Sequence, residues 1–462
     1  MGPVHNAREF DVTGHSPPQC VLLHNAVIYT GDASHTCHLN GALLIEGERI
    51  AWVGPASELA PAPFAQEIDL GGRVVMPGMV NTHAHGGMGL HRGCCDEGDL
   101  FAWAKAIAPQ TSTLTLEQAR QGCWLAVLEM VRNGITTACD CTRYGAGIFA
   151  SVASEIGMRS LSGALANSPS LRPAGRPNWP LALEETQQAM QAHAGDGLSR
   201  FYLGAHSPYS CTPELIQEVK AAARSLGLPF VIHAAESQEE LAIVHERYRL
   251  RPVEWLDQLG VLDAQTILAH CVWVDAGELD RMAEMGCSVA HNPVSNAKLA
   301  SGVAPVSALR ARGIAVGLGT DSTLSNNCLS IFQEMKFAVL LQRAHHLDAM
   351  LIPAKDALAM ATCEGARVLG WQQDIGSIEA GKQADLVVLN LAHPLGWTRQ
   401  RLLSDLVYAS GPQHIEAVMV AGQNIYEAGQ FTRVDEEKIR SQSGIHLPAI
   451  ARFSPVKGRN AQ

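Results

Sequence analysis

The residues best suited to chemistry in this chain are histidines and carboxylates that recur at one kind of position. His206, His233, His270, His291 and Asp321 each close a short apolar run, and His83 and His85 follow another. In extended backbone, residues i and i+2 point to the same side, so the imidazoles of His83 and His85 can reach one ion. Neutral imidazole nitrogens and a carboxylate suit Zn²⁺, and also Fe²⁺ or Mn²⁺, and a catalytic ion must keep one position open for water. His83, His85, His233 and Asp321 meet that requirement, with His270 either a further ligand or a hydrogen-bond partner of the bound water. Glu236 stands three residues after His233, where a carboxylate can take a proton from an activated water and hand it to a leaving group. Glu239 and Glu240 continue toward a helix and read as surface residues.

These positions need a scaffold that brings strand ends together. Between Val74 and Gly370, short apolar runs alternate with stretches of helical period, which is the pattern of βαβ units and a parallel sheet. Eight candidate strands stand out: Val74–Val80, Ile135–Asp140, Arg159–Ala164, Phe201–His206, Pro229–His233, Thr266–His270, Cys287–His291 and Ala315–Asp321. Helices over Leu116–Asn133, Pro213–Ser225 and Pro305–Arg312 lie between them. Eight strands in about 300 residues fit a (β/α)8 TIM barrel, whose active sites lie at the C-terminal strand ends. A doubly wound open sheet is the alternative, but no GxGxxG follows the first strand. Alternating apolar segments from Val21 to Leu70, and again at Ala384–Leu389 and Ile415–Val420, read as one small β-sandwich built from both chain ends. The expected division is 20–73 for the first part of the sandwich, 74–370 for the barrel, 371–435 for the second part and 436–462 for a C-terminal tail.

Composition narrows the function classes. A formal charge of −11 argues against nucleic-acid or anionic-membrane partners, which need a basic face. With 47% hydrophobic and 17% charged residues, the chain has material for a large core. Charged residues Arg8, Glu9 and Asp11 interrupt the N-terminus, so no signal-peptide core is expected there, and no window reaches the length of a membrane span. Twelve scattered cysteines read as reduced thiols, and a cytoplasmic location follows as the expectation. Cys94-Cys95 and Cys139/Cys141 lack zinc-type CxxC spacing and read as packing or loop thiols.

Taken together, Pro77-Gly78-Met79-Val80-Asn81-Thr82-His83-Ala84-His85, His233-x-x-Glu236, Ala269-His270-Cys271, His291-Asn292-Pro293-x-Ser295-Asn296-x-Lys298-Leu299 and Gly319-Thr320-Asp321 resemble the amidohydrolase superfamily. They are most similar to the branch holding methylthioadenosine and S-adenosylhomocysteine deaminases and the triazine chlorohydrolases and deaminases. The resemblance extends from about residue 20 to 430 and includes the stretch Ile375–Leu386. It implies one divalent metal per chain, zinc first and ferrous iron second, held by His83, His85, His233 and Asp321. It makes Glu236, His270 and Asp321 catalytic, with His291 supporting the ligands from behind. His206 ends strand four where other branches place a metal-bridging lysine, which favours a single ion. The implied reaction is hydrolytic deamination of an amino-substituted N-heterocycle, adenosine-like or triazine-like, in which hydroxide generated at the ion attacks the ring carbon and ammonia leaves. The alternative is a dechlorinating or C–N-cleaving hydrolase acting on a chlorinated s-triazine or a urea-type compound. A non-catalytic barrel that keeps the ligands by descent is disfavoured by the presence of Glu236 beside the complete ligand set.

The resemblance also assigns Trp103, His206 and Ser325 to the substrate, and Arg92 either to the substrate or to fixing its own loop. Two departures bear on specificity. Ile107–Ser112 lacks the carboxylate with which adenosine-type enzymes grip ribose, and Ser162-Gly163-Ala164-Leu165 lacks their arginine. The expectation is therefore a smaller or more apolar aminated ring, unless Asp96, Glu97 or Asp99 grips the sugar instead. The stretch Ser322–Asn327 is nearer to the deaminase pattern than to the chlorohydrolase one. A small molecule is the expected partner, with no nucleic acid or membrane, and the assembly is expected to be a homodimer or homotetramer.

Overall fold

The computed structural model describes residues 20–60, 64–142, 144–171 and 179–443. The N-terminal residues read above for a signal segment and the tail after 443 lie outside the described residues. Five strands come first: β1 (Cys20–Tyr29), β2 (Cys37–Glu46), β3 (Arg49–Pro55), β4 (Gln66–Asp69) and β5 (Val74–Pro77). Eight more form the barrel: β6 (Met79–Ala84), β7 (Ile135–Thr142), β8 (Arg159–Ala166), β9 (Ser199–Ala205), β10 (Phe230–Ala234), β11 (Thr266–His270), β12 (Ser288–His291) and β13 (Ala315–Leu318). The last are β14 (Leu386–Leu389), β15 (Ile415–Val420), β16 (Gln423–Glu427) and β17 (Gln430–Phe431).

Strands β6 to β13 pair in sequence order, all parallel, as a TIM barrel requires. All eight residues of β7 and all eight of β8 are buried, because helices cover the outside while side chains fill the inside. The ring closes where Ala84 bridges Asp321 and the Asp321 N–H donates to His83 O at 2.9 Å. That approach needs Gly319, since a Cβ there would stand 2.8 Å from His83 Cβ and 2.3 Å from Asn292 Oδ1. Connecting helices start on capping side chains; Thr212, for example, caps Pro213–Leu226, which Gly227 ends in a left-handed turn.

Strands from both chain ends join into one mixed sheet in the order β17-β16-β15-β14-β5-β1-β2-β3, with β4 added beside β1. The junction is β5 against β14, antiparallel, with Pro77 opposite Leu386. This sheet surrounds its own core, which includes Leu23, Ile28, Leu43, Ile45, Val75 and Leu386. One expectation is corrected here. The apolar run Val74–Val80 is two strands and not the first barrel strand: Gly78 N–H donates to Asp385 O in the small sheet, and Met79 N–H to Gly134 O in the barrel. The chain crosses between the two sheets at Pro77-Gly78, so His83 lies within β6 and not beyond the strand that precedes it. The buried pair Arg159–Asp385, with contacts of 2.7 and 3.0 Å, ties the start of β8 to the residue before β14. Among the described residues, no helix is long and apolar enough to cross a membrane.

Candidate active site

The C-terminal rim of the barrel gathers the predicted side chains. His83 is in β6 and His85 just beyond it; His233 is in β10, His270 ends β11 and Asp321 follows β13. At three of these strand ends the backbone turns outward through left-handed residues that are not glycine: Ala235 (φ 53°), His270 (φ 73°), Cys271 (φ 47°) and Asp321 (φ 57°). Such conformations cost free energy for residues bearing a Cβ and cluster where a site needs a particular aim. The loop after His85 lies flat on helix Leu116–Arg132, where Gly89 faces the Gly122 carbonyl so closely that a Cβ would stand 2.2 Å from its oxygen.

The ligand-capable atoms of His83, His85 and His233 lie within 4.8 Å of one another, as do those of His83, His270 and Asp321. The rings of His85 and His233 are stacked, 8° apart, and that of His83 stands perpendicular to both at 4.9 Å between centroids. The Nδ1 atoms of His85 and His233 face the carbonyls of Cys141 and His206, at 2.5 and 2.6 Å. Carbonyls only accept, so these rings carry their hydrogen on Nδ1 and turn an Nε2 lone pair inward. His83 Nε2 is buried without a hydrogen-bond partner. Asp321 Oδ1 is 3.2 Å from His85 Nε2 and 3.6 Å from His83 Nε2, the second distance too long for a hydrogen bond. Its other oxygen accepts from Ser295 Oγ at 2.6 Å and Ser325 Oγ at 2.8 Å, which leaves Oδ1 facing the rings. Three inward imidazole nitrogens, one of them orphaned, and one carboxylate oxygen fit a divalent transition metal.

Electrostatics agree with that donor set. Burial lowers the pKa of His83 to about 4 and that of His233 well below the ordinary value, so both are neutral at pH 7, as ligation requires. Burial would raise Asp321, but the side chains of His83 and His85 hold it well below the ordinary carboxylate range. Glu236 is raised to about 8, chiefly by burial, with Asp321 adding to the shift and His85 opposing it. It lies 3.7 Å from His270 Nε2, and His270 is held through Nδ1 by Asn296 Oδ1 at 2.8 Å.

A cavity opens on these groups, lined by Trp103, His206, Tyr209, Glu236, His270 and Asp321, with apolar walls from Met88, Leu100, Ile107 and Leu299. Trp103 and His206 are therefore at the cavity, and the Trp103 indole N–H is buried without a partner. Arg92 is elsewhere: its guanidinium bonds Glu129 and the Asn327 carbonyl and so fixes the loop. Ser325 is not in the wall either; its hydroxyl is spent on Asp321. His291 is buried, with Nδ1 unpaired, and burial lowers its pKa to about 3. Of the acidic residues considered for the sugar, Asp96 is engaged by Lys298 and Asn327, and Asp99 caps the helix Leu100–Thr111.

Glu240 overturns its reading as a surface residue. It is fully buried and its carboxylate accepts from the N–H groups of Ala235 at 3.1 Å and Glu236 at 2.8 Å, so it holds the loop that aims Glu236. Sequence reading passed over Ser295 and Asn296, and took Cys141, whose sulfur lies 3.2 Å from His83 Nδ1, as a packing or loop thiol. The first two stand in the quoted stretch beginning at His291, which is the signal that could have found them. A wider cleft at the opposite end of the barrel, lined by Leu161, Phe201 and Ile267, holds neither metal-capable cluster found among the described residues.

The model of the amidohydrolase family matches residues 74–425, and a short match to an imidazolonepropionase-like composite domain of bacteria covers 41–62. The 5'-deoxyadenosine deaminase of Methanopyrus kandleri is 35% identical over 407 residues, 87% of this chain and 93% of the relative. The 5-methylthioadenosine/S-adenosylhomocysteine deaminase of Nitratidesulfovibrio vulgaris is 38% identical over 426 residues, 91% of this chain and 95% of the relative. Among solved structures, an adenosine deaminase from Xanthomonas campestris with bound zinc superposes with a TM-score of 0.85 at 30% identity, covering 93% of this chain and 98% of that one. A triazine hydrolase of Arthrobacter aurescens gives 0.83 at 21% identity, covering 92% and 99%.

Proposed function

We propose that this chain, which belongs to the amidohydrolase family, is a metal-dependent hydrolytic deaminase of an amino-substituted nitrogen heterocycle. The observation that carries this reading is that His85, His233, Asp321 and the buried Glu236 carboxyl line one cavity beside Trp103, with the His83 ring nitrogen within 4.8 Å of those of His85 and His233. The relatives that share about nine-tenths of the chain are named as deaminases of adenine nucleosides. Hydrolytic dechlorination has support only from neighbours at 21% identity, which speak to the fold alone.

His83, His85, His233 and Asp321 would hold the ion, with zinc favoured by the zinc-bound neighbour. A divalent ion there supplies Lewis acidity that makes water nucleophilic at neutral pH. The residues of the chain do the rest. Glu236, protonated when its carboxyl is desolvated, delivers its proton to the ring nitrogen; of the two protons of the consumed water it then relays one to the departing amine and keeps the other, which restores its starting state. His270, its ring fixed by Asn296, presents Nε2 to the same space. Trp103 offers a ring face and an unpaired N–H donor, and Met88, Leu100, Ile107 and Leu299 keep bulk water away. The balance is one water consumed and one ammonia released for each C–NH₂ converted to C=O. A kinetic screen of aminopurines, aminopterins, adenine nucleosides and amino- or chlorotriazines, with ammonia and chloride both measured, tests the reading. Ammonia release from at least one aminated ring is expected, and chloride release with no ammonia from any of them would overturn it.

A further inference from the structure

The three inward-facing imidazoles are not held alike. His85 and His233 rest on backbone carbonyls, whereas His83 Nδ1 meets a side chain, Cys141 Sγ, at 3.2 Å. A thiol can either donate or accept. If it donated to Nδ1, the ring hydrogen would sit on His83 Nε2, the buried atom facing Asp321 Oδ1, and His83 could not ligate. Cys139 supplies another acceptor for that hydrogen. It precedes Cys141 by two residues on the same side of β7, with the two sulfurs 4.0 Å apart, so the Cys141 hydrogen can point to Cys139 Sγ while Cys141 Sγ accepts from His83. Both cysteines are fully buried, and neither lines the cavity.

We propose that Cys141 is a positioning residue for the metal centre: its sulfur accepts from His83 Nδ1 and its carbonyl accepts from His85 Nδ1, so one residue of β7 orients both imidazoles of the His-x-His pair and sets the tautomer in which they ligate. The proposal rests on the metal-dependent reading above. It also follows that Cys141 influences the substrate only through the histidines.

The test is the zinc affinity of the full-length protein, measured by competition with a chromophoric chelator, together with the visible absorption of the cobalt-substituted protein and the kcat and KM of the zinc-loaded one. Cys141→Ala is expected to weaken zinc binding about 10-fold or more, the lower end of what losing a partner of a metal-bound histidine produces, and to shift the cobalt bands while KM stays within about 2-fold. Cys141→Ser retains an acceptor and is expected within about 3-fold of the parent affinity. Should Cys141→Ala not fold, Cys141→Val fills the space without an acceptor and takes its place. If affinity and cobalt spectrum are unchanged in the alanine or valine variant, or if serine is no better than alanine, Cys141 only fills space and the proposal is overturned. If the parent chain itself binds neither zinc nor cobalt tightly, the metal-dependent reading fails first and takes this proposal with it.

Discussion

Glu236→Gln separates the proposed role of this side chain from its cost to the fold. The substitution keeps the shape of a side chain that is 5% exposed and leaves its backbone N–H on Glu240. What it removes is the transferable proton, so kcat is expected to fall by roughly 10²–10⁴-fold, the usual share of general acid–base catalysis. Stability should move the other way. A carboxyl with a pKa near 4.5 in the unfolded chain is ionised at pH 7, whereas the folded value of about 8 keeps it protonated, so folding takes up a proton. The folded state therefore loses stability as pH rises from 4.5 toward 8. At pH 7 the penalty is about 2.5 pKa units, on the order of 3 kcal/mol. Glutamine cannot ionise and escapes it, so the metal-stripped variant should unfold at higher denaturant concentration than the parent at pH 7, with the advantage gone by about pH 4.5. In the metal-loaded protein the cation opposes the shift, and the gain shrinks. The assays are ammonia release, zinc content, and urea unfolding of the stripped proteins at several pH values. Activity within a few-fold of the parent would refute the proton-transfer role, and His270 would then be the next candidate. An unfolding midpoint that does not change with pH relative to the parent would refute the raised carboxyl.

Elemental analysis should find about one tightly bound divalent transition metal per chain, and chelation should abolish turnover; full metal content in a His83→Ala/His85→Ala double variant would sink the ligand assignment. Methylthioadenosine and S-adenosylhomocysteine should be poorer substrates than a smaller aminated ring, because the described cavity wall offers the sugar no carboxylate beyond Glu236 and Asp321. A missing charge-assisted contact is worth roughly 1.5–3 kcal/mol, or about one to two powers of ten in kcat/KM, and micromolar-range KM values for either nucleoside would refute this. Arg159→Ala should cost about 3–5 kcal/mol in chemical denaturation, since it leaves the buried Asp385 charge without its cation and with the Ala421 N–H as its remaining side-chain contact. The pair lies at the barrel end away from the cavity, so activity per folded molecule should hold, and loss of activity without loss of stability would contradict the assignment.

The chemistry of the site was legible in the sequence because it depends on residue type and on position along a strand. A strand that ends in His or Asp places that side chain at one rim of a parallel barrel whatever surrounds it, so His233, His270 and Asp321 could be located from local pattern, and the spacing of His83 and His85 put both on one side of extended chain. Local pattern could not divide Val74–Val80, because both halves are apolar and only pairing with β14 or with β7 tells which sheet each belongs to. Nor could it assign partners. Arg92 met Glu129 on the helix Leu116–Arg132, Ser325 was taken up by Asp321, and Cys141 reached His83 across 58 residues. Glu240 is the clearest case. A glutamate in the first turn of a helix is ordinarily solvated, and it is buried here because the left-handed turn at Ala235 presents two backbone N–H groups that its two carboxyl oxygens satisfy. Side-chain chemistry and strand ends are properties of short segments; which donor meets which acceptor depends on contacts between segments far apart in the chain, and only the folded barrel decides those.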